Sequence, residues 1–358
     1  MSHASSLRDL GWAPFFEEAW ADYRDHNLIP GRVAVQHRGA DVLYTELGEL
    51  WAEVSGRMRY HSGGKAGLPA AGDWVACRTR PQEKSATIEA ILPRRTKFSR
   101  HEAGFVTEEQ VLAANIDVVF LMTALDSDLN PRRLERYLAM TWGSGAEPVG
   151  VLSKADICDD ASEAMALVEA QAPGVRIHAI SALSGDGIEE LRPYLQPGRT
   201  VALLGSSGVG KSTLVNALVG HELQAVKDIR SDGKGRHTTT RRELVLLPCG
   251  GLILDTPGMR ELQLWEDNGG VSQTFDDVTA LAPFCRFRDC RHETEPGCAV
   301  LGAVEDGSLP EERLRSFKKL ERELHHLRIK QDRRAQSEER KKWRAISRAQ
   351  RSASGGNP

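Results

Sequence analysis

Gly205-Ser206-Ser207-Gly208-Val209-Gly210-Lys211-Ser212 decides the class of this chain. It is a complete Walker A pattern, preceded by the apolar run Val201 to Leu204 and followed by a helical run from Thr213 to Val219. Strand, glycine-rich turn and helix start together make a polyphosphate cradle. The glycines let the backbone wrap an anion, the loop amides and helix N-terminus point at it, Lys211 reaches the β and γ phosphates, and Ser212 holds Mg²⁺. Working outward, strand-like and helical runs alternate from about residue 113 to 250. Asp117 to Thr123, Pro148 to Leu152, Arg176 to Ile180 and Thr200 to Leu204 read as strands; Pro131 to Trp142, Ser162 to Ala172 and Gly187 to Tyr194 read as helices. That alternation predicts a parallel sheet covered on both faces, with ligands at the carboxyl ends of its strands.

The neighbouring motifs choose the nucleotide. Ser153-Lys154-Ala155-Asp156 follows one predicted strand and resembles the guanine-reading Asn-Lys-x-Asp motif, with Ser153 in place of Asn. Ser181-Ala182-Leu183 follows the next and resembles the loop that closes on the base. A carboxylate at Asp156 accepts two hydrogen bonds from guanine that adenine cannot offer, which selects GTP or GDP over adenine nucleotides. Ser153 reaches less far toward the base than Asn, but its hydroxyl can bond neighbouring loops. In Leu252-Ile253-Leu254-Asp255-Thr256-Pro257-Gly258 the carboxylate can hold Mg²⁺ through water and the Gly258 amide can sense the γ-phosphate. Thr239, within Gly235 to Thr240, is expected to complete the Mg²⁺ shell, and His237 to orient water once a partner orders the loop, with loop packing as its alternative role. Met259 stands where a water-orienting Gln is usual, so hydrolysis by the chain alone should be slow. Lys211, Thr239 and His237 are therefore the catalytic candidates. Both guanine motifs precede the P-loop, the reverse of ordinary GTPases, so the domain reads as circularly permuted. Its γ-phosphate-sensing segment then leads straight into the C-terminal module.

That module holds Cys285, Cys290, His292 and Cys298 within 14 residues. Three thiolates and an imidazole form a closed tetrahedral set suited to structural Zn²⁺, with no open position for catalysis. From Pro310, Leu314, Phe317, Leu320, Leu324 and Leu327 form an apolar stripe on a charged helix. Residues 311–351 carry 15 Lys/Arg against 7 Asp/Glu, net +8, on a body of net −11. A basic tail of this kind can dock on a phosphate backbone. At the other end, Arg32 to His37, Asp41 to Glu46, Leu50 to Arg57, Asp73 to Arg80 and Ser85 to Leu92 read as five short strands of a small β-barrel, an OB-fold by preference, with His61 to Gly67 as a flexible loop. The division expected is an extension over 1–29, a barrel over 30–98, the permuted GTPase over 99–277 and the zinc module with its helical tail over 278–358.

Composition removes other classes. No apolar run in the 358 residues approaches the ~20 needed to span a bilayer. The N-terminus has no basic-then-apolar leader, so the chain is read as cytoplasmic, without membrane contact, and monomeric. Together these features resemble the ribosome small-subunit-dependent GTPases, the RsgA or YjeQ family. The resemblance is carried by Gly72-Asp73-Trp74, Pro93 to Arg100, Ala113 to Asp117, Arg132 to Leu138, the permuted motifs, Gly235 to Thr240 and the Cys₃His cluster. It implies an OB-fold, a permuted GTPase and a zinc domain that bind the small ribosomal subunit and its rRNA. It also implies GTPase activity stimulated by that subunit, late in maturation. It carries Ser153, Lys154 and Asp156 to the guanine site, Gly205 through Thr213 to the phosphates and the Cys₃His set to zinc. A permuted GTPase acting on the large subunit or another RNA is the alternative.

Overall fold

The computed structural model describes residues 6–37, 39–62, 64–101, 109–126, 129–158, 160–220, 243–255, 268–327 and 337, without the side chains of Asp25, Lys65, His101 and Asp255. Five strands close the N-terminal barrel: β1 (Ile29–Gln36), β2 (Asp41–Thr45), β3 (Gly48–Val54), β4 (Trp74–Arg80) and β5 (Ser85–Ile91). Their order is β1-β2-β3-β5-β4, and β4 pairs back onto β1. The β3–β5 pair is parallel and the others are antiparallel. Closure leaves no free edge, and inward residues including Val33, Leu43, Leu50, Val75 and Ile88 fill the interior. The strand predicted to run to Arg57 stops at Val54. Ser55 ends it by accepting the Met58 amide at 3.2 Å and so capping a short helix, α2 (Gly56–His61). Much of the expected flexible loop is thus helix α2 and a 3₁₀ turn, Lys65–Gly67.

A hairpin, β6 (Lys97–His101) and β7 (Glu109–Ala114), absent from the sequence reading, leads to the central sheet. There β8 (Val118–Ala124) is buried at every position, as a parallel strand covered on both faces must be. Helix α3 (Pro131–Ser144) starts at Asn130, whose Oδ1 accepts the Arg133 amide, and ends at Gly145 in the left-handed region. Then come β9 (Glu147–Ser153), α4 (Ser162–Gln171), β10 (Arg176–Ala179), a 3₁₀ helix (Ile188–Tyr194), β11 (Thr200–Gly205), α5 (Lys211–Val219), β12 (Glu243–Leu246) and β13 (Leu252–Asp255). The strand order is β10-β9-β8-β11-β13-β12, parallel except for β12–β13. The chain steps outward from β8 to β10 and returns to lay β11 on the other side of β8. That reversal opens a crevice at the carboxyl ends of β8 and β11. β12 also pairs with β1 of the barrel, at Val35 and Glu243, so the described strands of the barrel and the central sheet form one continuous eleven-stranded sheet.

Residues 6–26 pack into the body. Leu10, Phe16 and Trp20, the last two on α1 (Pro14–Trp20), are buried, and the Trp12 ring stands edge-on to Trp74 at 4.8 Å. Beside them Arg32, 1% exposed, donates to the carbonyls of Leu10, Gly72 (3.3 Å) and Asn115 (3.0 Å) and to Thr200 Oγ1 (2.7 Å). Four segments thus share one guanidinium, whose burial pushes it down to about 10. At the far end, helices Gly270–Thr274 and Asp276–Thr279 lie against α3, so close that a Cβ on Gly270 would meet the Ala139 carbonyl oxygen at 2.1 Å. The helix over residues 311–327 buries Leu314, Phe317, Leu320 and Leu324. Its Arg313 donates to Glu135 of α3 (3.0 Å), Asp277 (2.6 Å) and the carbonyls of Gln171 (3.1 Å) and Thr274 (2.7 Å). The apolar stripe expected on this helix is thus its packing face, and Arg313 is buried with it, while Arg315 and Arg322 stay exposed.

Candidate functional site

At the β8/β11 crevice, β11 ends in Gly205 and α5 begins at Lys211, so the loop between them opens directly onto a helix N-terminus. Gly208 (φ 77°) and Gly210 (φ 99°) hold the left-handed conformations that turn the loop back on itself and aim amides inward. Val209 is buried and anchors the loop, while Ser207, Ser212 and Thr213 are exposed and Ser206 is half-buried. Lys211 Nζ donates to the carbonyls of Gly205 (2.8 Å) and Ser206 (2.5 Å), which folds the ammonium across the mouth of the loop. A helix start, inward amides and a lysine across one small concavity make an anion site.

The predicted guanine-reading residues lie on the same edge. β9 ends in Ser153, 3% exposed, whose hydroxyl donates to the Val209 carbonyl at 2.6 Å and lies 3.4 Å from that of Thr123. Ser153 thereby joins the β9 loop to the P-loop. Lys154 (φ 60°) turns the chain, and its ammonium pairs with Asp126, past the end of β8, at 2.7 Å. The Ala155 amide donates to the Ile180 carbonyl at 3.0 Å, tying this loop to the one after β10. Asp156 is exposed, as a base-reading carboxylate needs to be before its ligand arrives. Ser181 is fully buried, its Oγ accepting the Ser184 amide at 3.2 Å, and Ala182 packs beside it. The structure thus brings Ser153 to Asp156, Ser181, Ala182 and Gly205 to Thr213 to one edge. Asp255 ends β13 on the neighbouring strand. His237, Thr239 and Gly258 lie outside the described residues. Asp126 was not singled out from sequence; the signal available was a carboxylate two residues past a buried parallel strand.

The second cluster is a candidate metal centre. One ligand atom from each of Cys285, Cys290, His292 and Cys298 falls within 4.8 Å of every other. His292 Nδ1 lies 3.3 Å from Cys298 Sγ and 3.6 Å from Cys285 Sγ, and the two sulfurs are 3.7 Å apart. A tetrahedral ion with metal–sulfur bonds of about 2.3 Å requires ligand–ligand edges of about 3.5–3.8 Å, so the donor set fits one. Burial and nearby Lys318 push the His292 imidazole down, toward the neutral form that ligates. The ammonium of Lys318 also holds the His292 carbonyl, and Leu301 donates its amide to Cys298 Sγ at 3.4 Å. No disulfide links the cysteines.

Comparison with known proteins agrees with this geometry. A family model described as RsgA GTPase matches residues 91–265, and one described as ABC transporter matches residues 188–353. Both spans contain the P-loop, but only the first contains the guanine-type loop at 153–156. The chain is 47% identical to a small ribosomal subunit biogenesis GTPase RsgA of Opitutus terrae, over 97% of each chain. It is 47% identical to a protein so named, RsgA 2, of Lactiplantibacillus plantarum, over 85% of each. Among solved structures, YjeQ from Thermotoga maritima matches with a TM-score of 0.62 and 28% identity, over 83% of this chain and 98% of that one. YloQ, a circularly permuted GTPase, shares the fold with a TM-score of 0.59 at 23% identity, over 85% and 97%.

Proposed function

This chain belongs to the RsgA GTPase family, and on that premise we propose that it hydrolyses GTP on the small ribosomal subunit, late in that subunit's maturation, with the subunit and its rRNA stimulating the reaction. The observation that carries the reading is the hydroxyl of Ser153 on the carbonyl of Val209, which makes one site of a guanine-type loop and a P-loop in permuted order.

In this reading Asp156 takes the two guanine hydrogens, Lys154 lies along the base with Asp126 holding its ammonium, and Ser181 and Ala182 close the pocket. Amides from Gly205, Ser206, Ser207, Gly208, Val209 and Gly210 cradle the phosphates, and Thr213 adds a hydroxyl beside them. Lys211 exchanges its two carbonyl partners for phosphate oxygens, an ion–ion contact stronger than the bonds it gives up. Ser212 and Thr239 would hold Mg²⁺, with Asp255 as a further carboxylate for it, and Gly258 would sense the γ-phosphate. Mg²⁺, when bound, neutralises charge on the β and γ oxygens. His237 orients the attacking water when the subunit is bound, so hydrolysis by the chain alone is expected to be slow. The Cys₃His set holds one structural Zn²⁺, the ion that thiolate and imidazole donors in a closed tetrahedron suit best.

The test is GTP hydrolysis by the chain alone, with isolated small subunits and with isolated large subunits, using Lys211→Ala as the blank. Strong stimulation by small subunits only is expected. Equal rates in all three mixtures, or stimulation by large subunits, would overturn the assignment of the partner.

A further inference from the structure

The barrel carries a groove that the nucleotide and metal sites do not use. It has a volume of about 1000 Å³, at the upper end of the range for ligand clefts, and lies where the N-terminal segment, α2 and strands β4 to β6 meet. Its floor is apolar, from Leu28, Met58, Ile91 and the buried Leu92. Four cations line it, Arg57 on α2, Arg78 on β4, Arg94 and Lys97, together with the acidic Asp22 and Glu89, and Lys97 is paired with Glu109 at 3.0 Å. Arg94 is committed, with two hydrogen bonds to Asp73 and two to the carbonyls of Ala66 and Leu68. Arg57 and Arg78 are exposed; Arg78 sits 3.8 Å from Glu89, and Arg57 has no acidic partner among the described residues. Tyr23, His26 and His61 add flat rings to the wall.

Charge also disfavours the face formed by β2 and β3. OB-folds commonly bind oligonucleotides on the strand 2–3 face. Here the outward positions of β3 are Glu49, Trp51 and Glu53, so an aromatic ring stands between two carboxylates that repel phosphate. An apolar floor, ring-lined walls and exposed guanidinium groups are the combination that takes bases and backbone of a single strand.

We propose that this groove, and not the β2–β3 face, binds a single-stranded RNA segment, with Arg57 and Arg78 on successive phosphates and a base against the floor. The proposal rests on the rRNA partner in the reading above. Its test is binding of a fluorescein-labelled ten-nucleotide oligouridylate to the full chain, as wild type, Arg57→Ala/Arg78→Ala and Arg192→Ala. Arg192 is an exposed arginine of the GTPase domain, outside the groove, and serves as the charge control. Basal GTP hydrolysis and melting temperature verify folding and should not differ among the three. The double variant is expected to bind at least tenfold more weakly. Its salt slope should fall by about 1.4, the loss of two phosphate contacts on a single strand. A double variant that binds like Arg192→Ala, or a wild type that does not bind the oligomer, overturns the groove. Pelleting with small subunits separates the two levels: wild type that pellets while the groove fails leaves the subunit reading standing, and wild type that does not pellet overturns both.

Discussion

Ser153 replaces the longer amide of the guanine motif, and its short side chain has a task that does not involve the base. Buried at the end of β9, it donates its hydroxyl hydrogen to the Val209 carbonyl and so fixes the distance between the loop after β9 and the P-loop, which in the proposed reading grip opposite ends of one nucleotide. Ser153→Ala would leave that carbonyl buried and unpaired, at a cost of about 1–3 kcal/mol. Part of that cost should appear as looser nucleotide binding. GDP affinity measured by calorimetry is expected to fall roughly fivefold to tenfold, about 1–1.4 kcal/mol, with the Asp156-dependent preference for guanine retained. Unchanged affinity would mean that the loops are held without it. The motif itself, Lys154 and Asp156 included, was legible in the sequence because its spacing is local. The Lys154–Asp126 pair was not, since nothing in sequence ties residues 28 positions apart across two loops.

Among elements, the segment from Ala282 to Gly297 is the least able to hold itself. His292 is its one buried residue, so it has no apolar core to offset the entropy of ordering. Four ligands on one ion would supply what packing does not. The chain is expected to bind one equivalent of zinc by elemental analysis. Chelation, or Cys298→Ser, should raise amide exchange across residues 285–298 while β8 and β11 keep their protection. Full protection without metal would rule out a structural role for it. Helices α3, α4 and α5 and the buried parallel strands were legible from periodicity and flanking signals. The first two residues of α2 read as strand because Ser55, its N-cap, follows a half-buried alternating run and precedes a helix of only six residues. The β6–β7 hairpin escaped notice because its strands are short and its inward face is closed by neighbours far along the chain.

In the whole molecule, two buried arginines fasten the parts together. Arg32 joins the N-terminal segment, barrel, hairpin and GTPase sheet; Arg313 joins the C-terminal helix to α3, α4 and the segment at 274–277. The Arg136–Glu323 pair, at 2.9 Å, adds a second tie between α3 and that helix. Arg313→Ala would strand the Glu135 carboxylate in an apolar setting, whose side chain is 3% exposed, at a cost of about 3–5 kcal/mol. A clear fall in melting temperature is expected, partly restored by adding Glu135→Gln; an unchanged melt would show that the apolar stripe alone holds the helix. The sequence by itself determined the nucleotide class, the permuted order and the donor set for a metal. Each of these is written in residues a few positions apart, whose chemistry follows from spacing. Only the tertiary structure decided that the aromatic N-terminus belongs to the core and that Arg313 of the basic tail is buried between helices. Those outcomes depend on burying charge and rings against carbonyls and strands between 22 and 178 residues away, and long-range closure of that kind leaves no period in the chain.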